Sequence, residues 1–299
     1  MHRRRIARSC LALVATLGAG AVGCTTVAPA PSSTTTTSST STTAVAAPAD
    51  AGFLAFGDAG TGDATQQGVA DEMVRWATDH RVDALVEAGD DVYDVGDPSR
   101  FAATLDTPYA SLRATRPLWV ALGNHDEQNG FGDQQLRYLG LPDLPYTETL
   151  TNVQLLFLDA NHPDSAQAQW LDTRLSEPGP SFRVVVFHQP AYSCALHGST
   201  AAVDQYWVPI LEAHRVSLVI NGHDHYYERF LSSNGVTYVV TGGGGASLYS
   251  RRSSCSGTPP SQATAQRNHF LSVEIRGTTM TLTAVATDGT VLDQATITR

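Results

Sequence analysis

From residue 53 onward, short apolar runs alternate with stretches of helical period, and this alternation constrains the fold more than any other feature of the chain. The runs are FLAFGD, ALVEAGD, LWVALGNHD, VQLLFLDA, RVVVFHQP, VSLVINGHDH and VTYVVTGGGG. Their length and branched residues read as strands. Between them, ATQQGVADEMVRWATDH, DSAQAQWLDTRLS and VDQYWVPILEAHR have the spacing of amphipathic helices. Strand alternating with helix predicts a largely parallel sheet in an α/β layer arrangement. The tail from Phe270 to Arg299 differs. There the turn signals RGT and TDGT separate alternating runs, as in an antiparallel meander. Two packed mixed sheets with helices outside are therefore expected.

Folded protein is expected to begin near Ala51. Met1 to Cys24 has a basic start, an apolar run from about residue 10 to 22, and small residues before a cysteine. That is the pattern of a secretory signal, with an apolar run short for a membrane span. Ala21, Val22 and Gly23 ahead of Cys24 resemble a bacterial lipoprotein signal, which implies a lipid on Cys24; ordinary cleavage nearby is the alternative. Residues 32–43 are all Ser or Thr, too polar and uniform to bury anything, and read as a tether. The expected organisation is a signal peptide over 1–23, a tether over 24–50 and one domain over 51–299. Expected localisation is export, with attachment to the outer face of the cell membrane through Cys24, or else secretion.

The 19 basic residues are all arginine, and against 29 acids they leave a net charge of −10. No basic footprint argues for nucleic acid. Within the domain there are two cysteines, Cys194 and Cys255. In an exported protein such a pair reads as one disulfide, two buried thiols being the alternative.

Functional groups in open α/β sheets gather beyond the carboxyl ends of strands. Asp58, Asp90, Asn124 with His125, His188, and His223 with His225 each follow a different apolar run. Four of these five ends place a glycine just before the donor, where it allows a sharp turn or close approach. In an extended segment His223 and His225 would point the same way. One Gly-Asp is ordinary turn chemistry; five strand ends in one order are not. Carboxylate, amide and imidazole donors suit Fe, Zn or Mn and differ from the thiolate set of a structural zinc site. Two carboxylates, one amide oxygen and three imidazoles, six donors, exceed one tetrahedral ion, so two ions sharing a carboxylate is the economical reading. Such pairs, about 3.5–4 Å apart, lower the pKa of a bound water and spread charge on phosphoryl oxygens.

In order, GDAG, GDDVY, GNHD, VVFH and GHDH resemble the five metal-binding blocks of the calcineurin-like metallophosphoesterases. Tyr93, three residues after Asp90, is similar to the purple acid phosphatase branch. The resemblance spans residues 51–245 and implies the metallo-dependent phosphatase fold, a four-layer α-β-β-α sandwich of two mixed β-sheets flanked by helices. It implies Fe(III) on Asp58, Asp90, Tyr93 and His225, and a divalent Fe, Zn or Mn on Asp90, Asn124, His188 and His223. It further implies that His125 and His197 hold the phosphate and assist proton transfer to the leaving group. HQPAYSCALHGST resembles the single-domain mammalian-type members, and HYYER the plant type, although the plant β-sandwich domain has no counterpart in the tether.

The implied activity is an acid-phosphatase-like hydrolysis of small extracellular phosphomonoesters. A phosphodiesterase or nucleotidase with the same site is the alternative within enzymes, and a non-catalytic phosphate-binding lipoprotein the alternative outside them. Expected partners are a small phosphoester and, through Cys24 alone, a membrane; a monomer is assumed. Asp91 is expected to be exposed or to stand behind the ligands. TGGGG at 241–245 lacks the Lys and Ser/Thr of a phosphate loop and is expected to let backbone pass near the metals. His80, His162, His214 and His269 read as ordinary polar residues.

Overall fold

The computed structural model describes residues 50–299; the expected signal sequence, Cys24 and all but the end of the tether lie outside the described residues. The strands are β1 (Ala51–Phe56), β2 (Ala84–Glu87), β3 (Leu118–Val120), β4 (Tyr146–Leu150), β5 (Val153–Phe157), β6 (Phe182–Val186) and β7 (Leu218–Asn221). They continue with β8 (Tyr227–Leu231), β9 (Thr237–Thr241), β10 (Ser261–Ala265), β11 (His269–Arg276), β12 (Thr279–Ala286) and β13 (Val291–Thr298). The α-helices are α1 (Ala64–Trp76), α2 (Ala110–Arg113), α3 (Gly132–Leu139), α4 (Ser165–Ser176), α5 (Ala201–Tyr206) and α6 (Val208–Ala213).

One six-stranded sheet runs β13-β12-β11-β1-β2-β3, and a seven-stranded sheet runs β10-β8-β9-β7-β6-β5-β4. In the first, β1, β2 and β3 are parallel, while the tail adds β11, β12 and β13 as the expected antiparallel meander. In the second, β5, β6, β7 and β9 are parallel, with β4, β8 and β10 paired antiparallel.

Both faces of the central strands are covered, which is why their sequences lack polar alternation. Phe53 and Ala55 pack between the sheets with Val86, Val184, Val186 and Ile220. Their neighbours Leu54 and Phe56 face Val69 and Met73 of α1. On the opposite side Val185 and Val219 pack against Leu171 and Leu175 of α4, Trp207, and Leu211 of α6. Truncating any of the buried leucines to alanine would cost about 2–5 kcal/mol.

Asp63 caps α1 by accepting from the Thr65 and Gln66 amides, and Asp164 caps α4 through the Gln167 amide. The helix expected over 203–215 is two helices broken at Trp207. Pro209 is the reason: it offers no N–H to the preceding turn and is tolerated in the first turn of a new helix. β4, β8 and β10 also escape the sequence reading. β10 is a sheet edge with alternate residues exposed, so it carries no continuous apolar run.

Candidate metal centre

At their carboxyl ends β1, β2, β3, β6 and β7 bring the predicted donors together between the sheets. Three donors sit in the left-handed region: Asp58 at φ 58°, Asp90 at 55° and His223 at 69°. For residues with a Cβ this costs on the order of 1–3 kcal/mol each and persists only where the surroundings impose it. Here the Asp58 amide donates to Gly89 O at 2.9 Å, and the His223 amide donates to the Asp58 carboxylate at 2.8 Å. His223 and His225 thus lie in a bend beyond β7 rather than in an extended segment. They reach one centre through this turned backbone, a correction to the alternation argument.

The glycines supply the close approach expected of them, but they do not always make the turn. The residue after the glycine often takes the positive φ, and the glycine supplies close approach. A Cβ on Gly123 would lie 2.1 Å from Asp90 Oδ1, and one on Gly242 would lie 2.6 Å from Asp58 Oδ2. The second contact places the TGGGG backbone against the centre, as expected.

Two groups of side chains have ligand atoms mutually within 4.8 Å: Asp58, Asp90 and His225, and Asp90, His188 and His223. Asp90 belongs to both. Tyr93 Oη joins the first, 3.1 Å from Asp90 Oδ2, 3.3 Å from Asp58 Oδ1 and 3.1 Å from His225 Nε2. In the second, His188 Nε2 lies 3.3 Å from Asp90 Oδ2 and 3.2 Å from His223 Nδ1. Backbone carbonyls orient two rings from behind: Ala88 O sits 2.8 Å from His188 Nδ1, and Ser247 O 2.8 Å from His225 Nδ1. Each ring then turns its Nε2 toward the centre, a usual arrangement for a metal-bound imidazole.

These residues fit a pair of cations. Asn124 Oδ1 is buried and has no hydrogen-bond partner. Burial opposes ionisation of Asp90, yet His188 and then His125 hold its carboxyl below the usual range. Burial also works against a charged His188, but Asp90 and Asp58 push it up to about 9. His223 is driven down to about 2 by burial, then by His188 and His197. Burial raises Asp58. Without ions the cluster can balance its carboxylates only by keeping protons on its own would-be ligands. Hard oxygen and imidazole donors at this density suit Fe, Zn or Mn.

The two non-ligand histidines flank the centre. His125 donates from its backbone to Asp90 Oδ1 at 2.9 Å, and its Nδ1 lies 2.6 Å from Asp94 O. Its ring stands edge-on to Tyr93 with centroids 4.7 Å apart. His197 is exposed on the loop after β6, its ring centroid 4.1 Å from that of His223. Cys194 in that loop is bonded to Cys255, with Cα atoms 5.5 Å apart. Beside the centre opens a cavity of about 560 Å³ lined by Tyr93, His125, His225, Arg100 and Tyr249, among others. Tyr249, missed in the sequence, stacks on His225 at 4.0 Å.

Asp91 is fully buried rather than exposed, and accepts from Gln135 Nε2 at 2.6 Å. The sequence reading also missed Asp126. Its buried carboxylate accepts the Gly123, Asp91 and Val92 amides at 2.8, 3.0 and 2.9 Å, tying the Asn124 turn to the Asp90 turn. Its place in GNHD was the available signal. His269, read as ordinary, is buried beyond the ligands, between Thr241 Oγ1 and Arg267 O.

A family model described as calcineurin-like phosphoesterase matches residues 53–227. Purple acid phosphatase 4 of Arabidopsis thaliana is 27% identical over 235 residues, covering 66% of this chain and 68% of its own length. Tartrate-resistant acid phosphatase type 5 of Mus musculus is 26% identical over 213 residues, covering 58% of this chain and 64% of its own length. Among solved structures, purple acid phosphatase PPD1 from yellow lupin superposes with a TM-score of 0.71 at 17% identity, over 83% of this chain and 54% of that one. GAP50, the anchor in the inner membrane complex of Plasmodium, superposes with a TM-score of 0.69 at 19% identity, over 83% and 88%. At these identities the structural likeness establishes the shared fold, two mixed sheets flanked by helices, and leaves chemistry to the site.

Proposed function

The chain belongs to the calcineurin-like phosphoesterase family, and from that premise we propose that it is a dinuclear metal-dependent hydrolase releasing phosphate from small phosphomonoesters. The observation that carries this reading is the pair of three-residue donor groups sharing Asp90. Asp58, Asp90, Tyr93 and His225 would hold Fe(III), and Asp90, Asn124, His188 and His223 a divalent Fe, Zn or Mn. When bound, the two ions would activate a water and neutralise phosphoryl charge.

The chain's own residues do the rest. The Ala88 and Ser247 carbonyls fix the His188 and His225 rings before substrate arrives. Asp94 O accepts the Nδ1 proton of His125, leaving Nε2 to face the Asp90 side of the centre. His197, exposed beside His223, is free to meet an incoming phosphoryl oxygen and to give a proton to the departing one. The same reading takes residues 1–23 as an export signal and 24–50 as a tether, with the domain held outside the cell through a lipid on Cys24.

Turnover of an aryl phosphomonoester against the matching diester by natively purified protein tests the activity, with metal content measured on the same sample. We expect two metal ions per chain and a clear preference for the monoester. His188→Ala and Asn124→Ala should each lower the ratio toward one. A preference for the diester would convert the assignment to a phosphodiesterase. No hydrolysis of either ester by protein with two ions bound would end the enzymatic reading.

A further inference from the structure

Between His223 and His225 stands Asp224, a carboxylate with no exposed surface. Its Oδ1 accepts the His197 amide at 2.8 Å. Its Oδ2 accepts the Gly198 amide at 3.0 Å and the Ser193 hydroxyl. All three donors belong to the loop after β6 that carries His197. Burying a carboxylate is costly unless donors replace its water, and here one short loop supplies them all.

Other contacts hold this loop as well. Glu228 Oε2 accepts the Cys194 amide at 3.0 Å, while its Oε1 pairs with Arg251 at 3.2 Å. Arg252 donates its amide to Cys194 O at 2.7 Å, and the disulfide leaves from Cys194 as well. These fix the middle of the loop, and Arg252 Nη2 also donates to Leu196 O, at the peptide leading into His197. Asp224 accepts the His197 amide itself, and it does so from the segment that also carries His223, whose ring is 4.1 Å from that of His197. Asp224 therefore couples the loop to the metal-binding turn at His197, while Tyr226 of the same turn accepts the Cys194 amide at 3.0 Å.

We propose that Asp224 is a positioning residue, whose carboxylate fixes His197 against the metal centre. This rests on the role given to His197 above. An asparagine at 224 keeps the shape but turns one acceptor into an N–H₂ group facing N–H or O–H donors. Asp224→Asn should keep wild-type metal content and lower kcat by about 10- to 100-fold, within the usual scale of a displaced acid–base group, with a smaller change in KM. It should lose the same limb of the pH–rate profile as His197→Ala. The double variant should be no slower than His197→Ala, because both changes remove one function. Amide hydrogen exchange at residues 197 and 198 should accelerate.

A loss of activity that only tracks lost metal, or losses that multiply in the double variant, would overturn the proposal. So would wild-type exchange at 197 and 198. If His197→Ala turns over like wild type, the role of His197 falls, and exchange alone decides whether Asp224 anchors the loop. If Asp224→Asn does not fold, Ser193→Ala carries the test: it removes one donor and should speed the same exchange and lower kcat several-fold. Wild-type values for both would refute the anchor.

Discussion

At Tyr93 a phenol oxygen stands about equally far from two carboxylates and an imidazole. Burial, then Asp58 and Asp90, push this phenol well above its ordinary pKa. It therefore surrenders its proton only to a strongly charged ion such as Fe(III), which binds phenolate and absorbs visible light through the bond. Protein purified with iron should show a broad visible band that is absent in Tyr93→Phe, with much of the turnover retained. The same band in both proteins, or none in iron-loaded wild type, would take Tyr93 out of the metal set. The step from Asp90 to Tyr93 was legible because both lie in one short segment. Asp126 and Asp224 stand inside GNHD and GHDH, but their burial and most of their donors come from other loops, and the motifs do not spell those contacts out.

The loop between β6 and α5 shows the same limit for a whole segment. It is crosslinked near its middle by the bond from Cys194 to Cys255, separated by 61 residues. Closing a loop of that length in the unfolded chain removes entropy worth roughly 4 kcal/mol in the chain-entropy model. Cys194→Ser should therefore lower the unfolding free energy by up to about that amount, measured by denaturant titration. It should also reduce kcat more than it reduces bound metal, since Cys194 lies three residues from His197 and six from the predicted ligand His188. Equal losses of both would show that the crosslink supports the metal turn instead. The pairing was readable from the cysteine number together with the expected export. That Asp224 and Glu228 also grip this loop was not, because both acids sit in a run that sequence patterning assigns to the metal block.

Across the whole domain, the metal centre joins the two sheets. Asp58, Asp90, Tyr93 and Asn124 come from the ends of β1, β2 and β3, whereas His188, His223 and His225 come from the ends of β6 and β7. Ions that bind only the folded state stabilise it by mass action, about 4 kcal/mol at a free concentration a thousand times Kd. Chelation should therefore lower Tm by about 10 °C for a domain of this size, reversibly on adding metal back. Identical melting curves with and without chelator would mean that no ion links the sheets. What the sequence determined by itself was the periodic part: apolar runs buried on both faces, helices between them, and a donor after five of the strands. Those signals are local, since backbone geometry sets their period. The tertiary structure alone decided how the two sheets face one another, which donors share an ion, and which acids lie buried behind them. These depend on contacts between residues far apart in the chain, and hydrophobic periodicity does not encode such pairings.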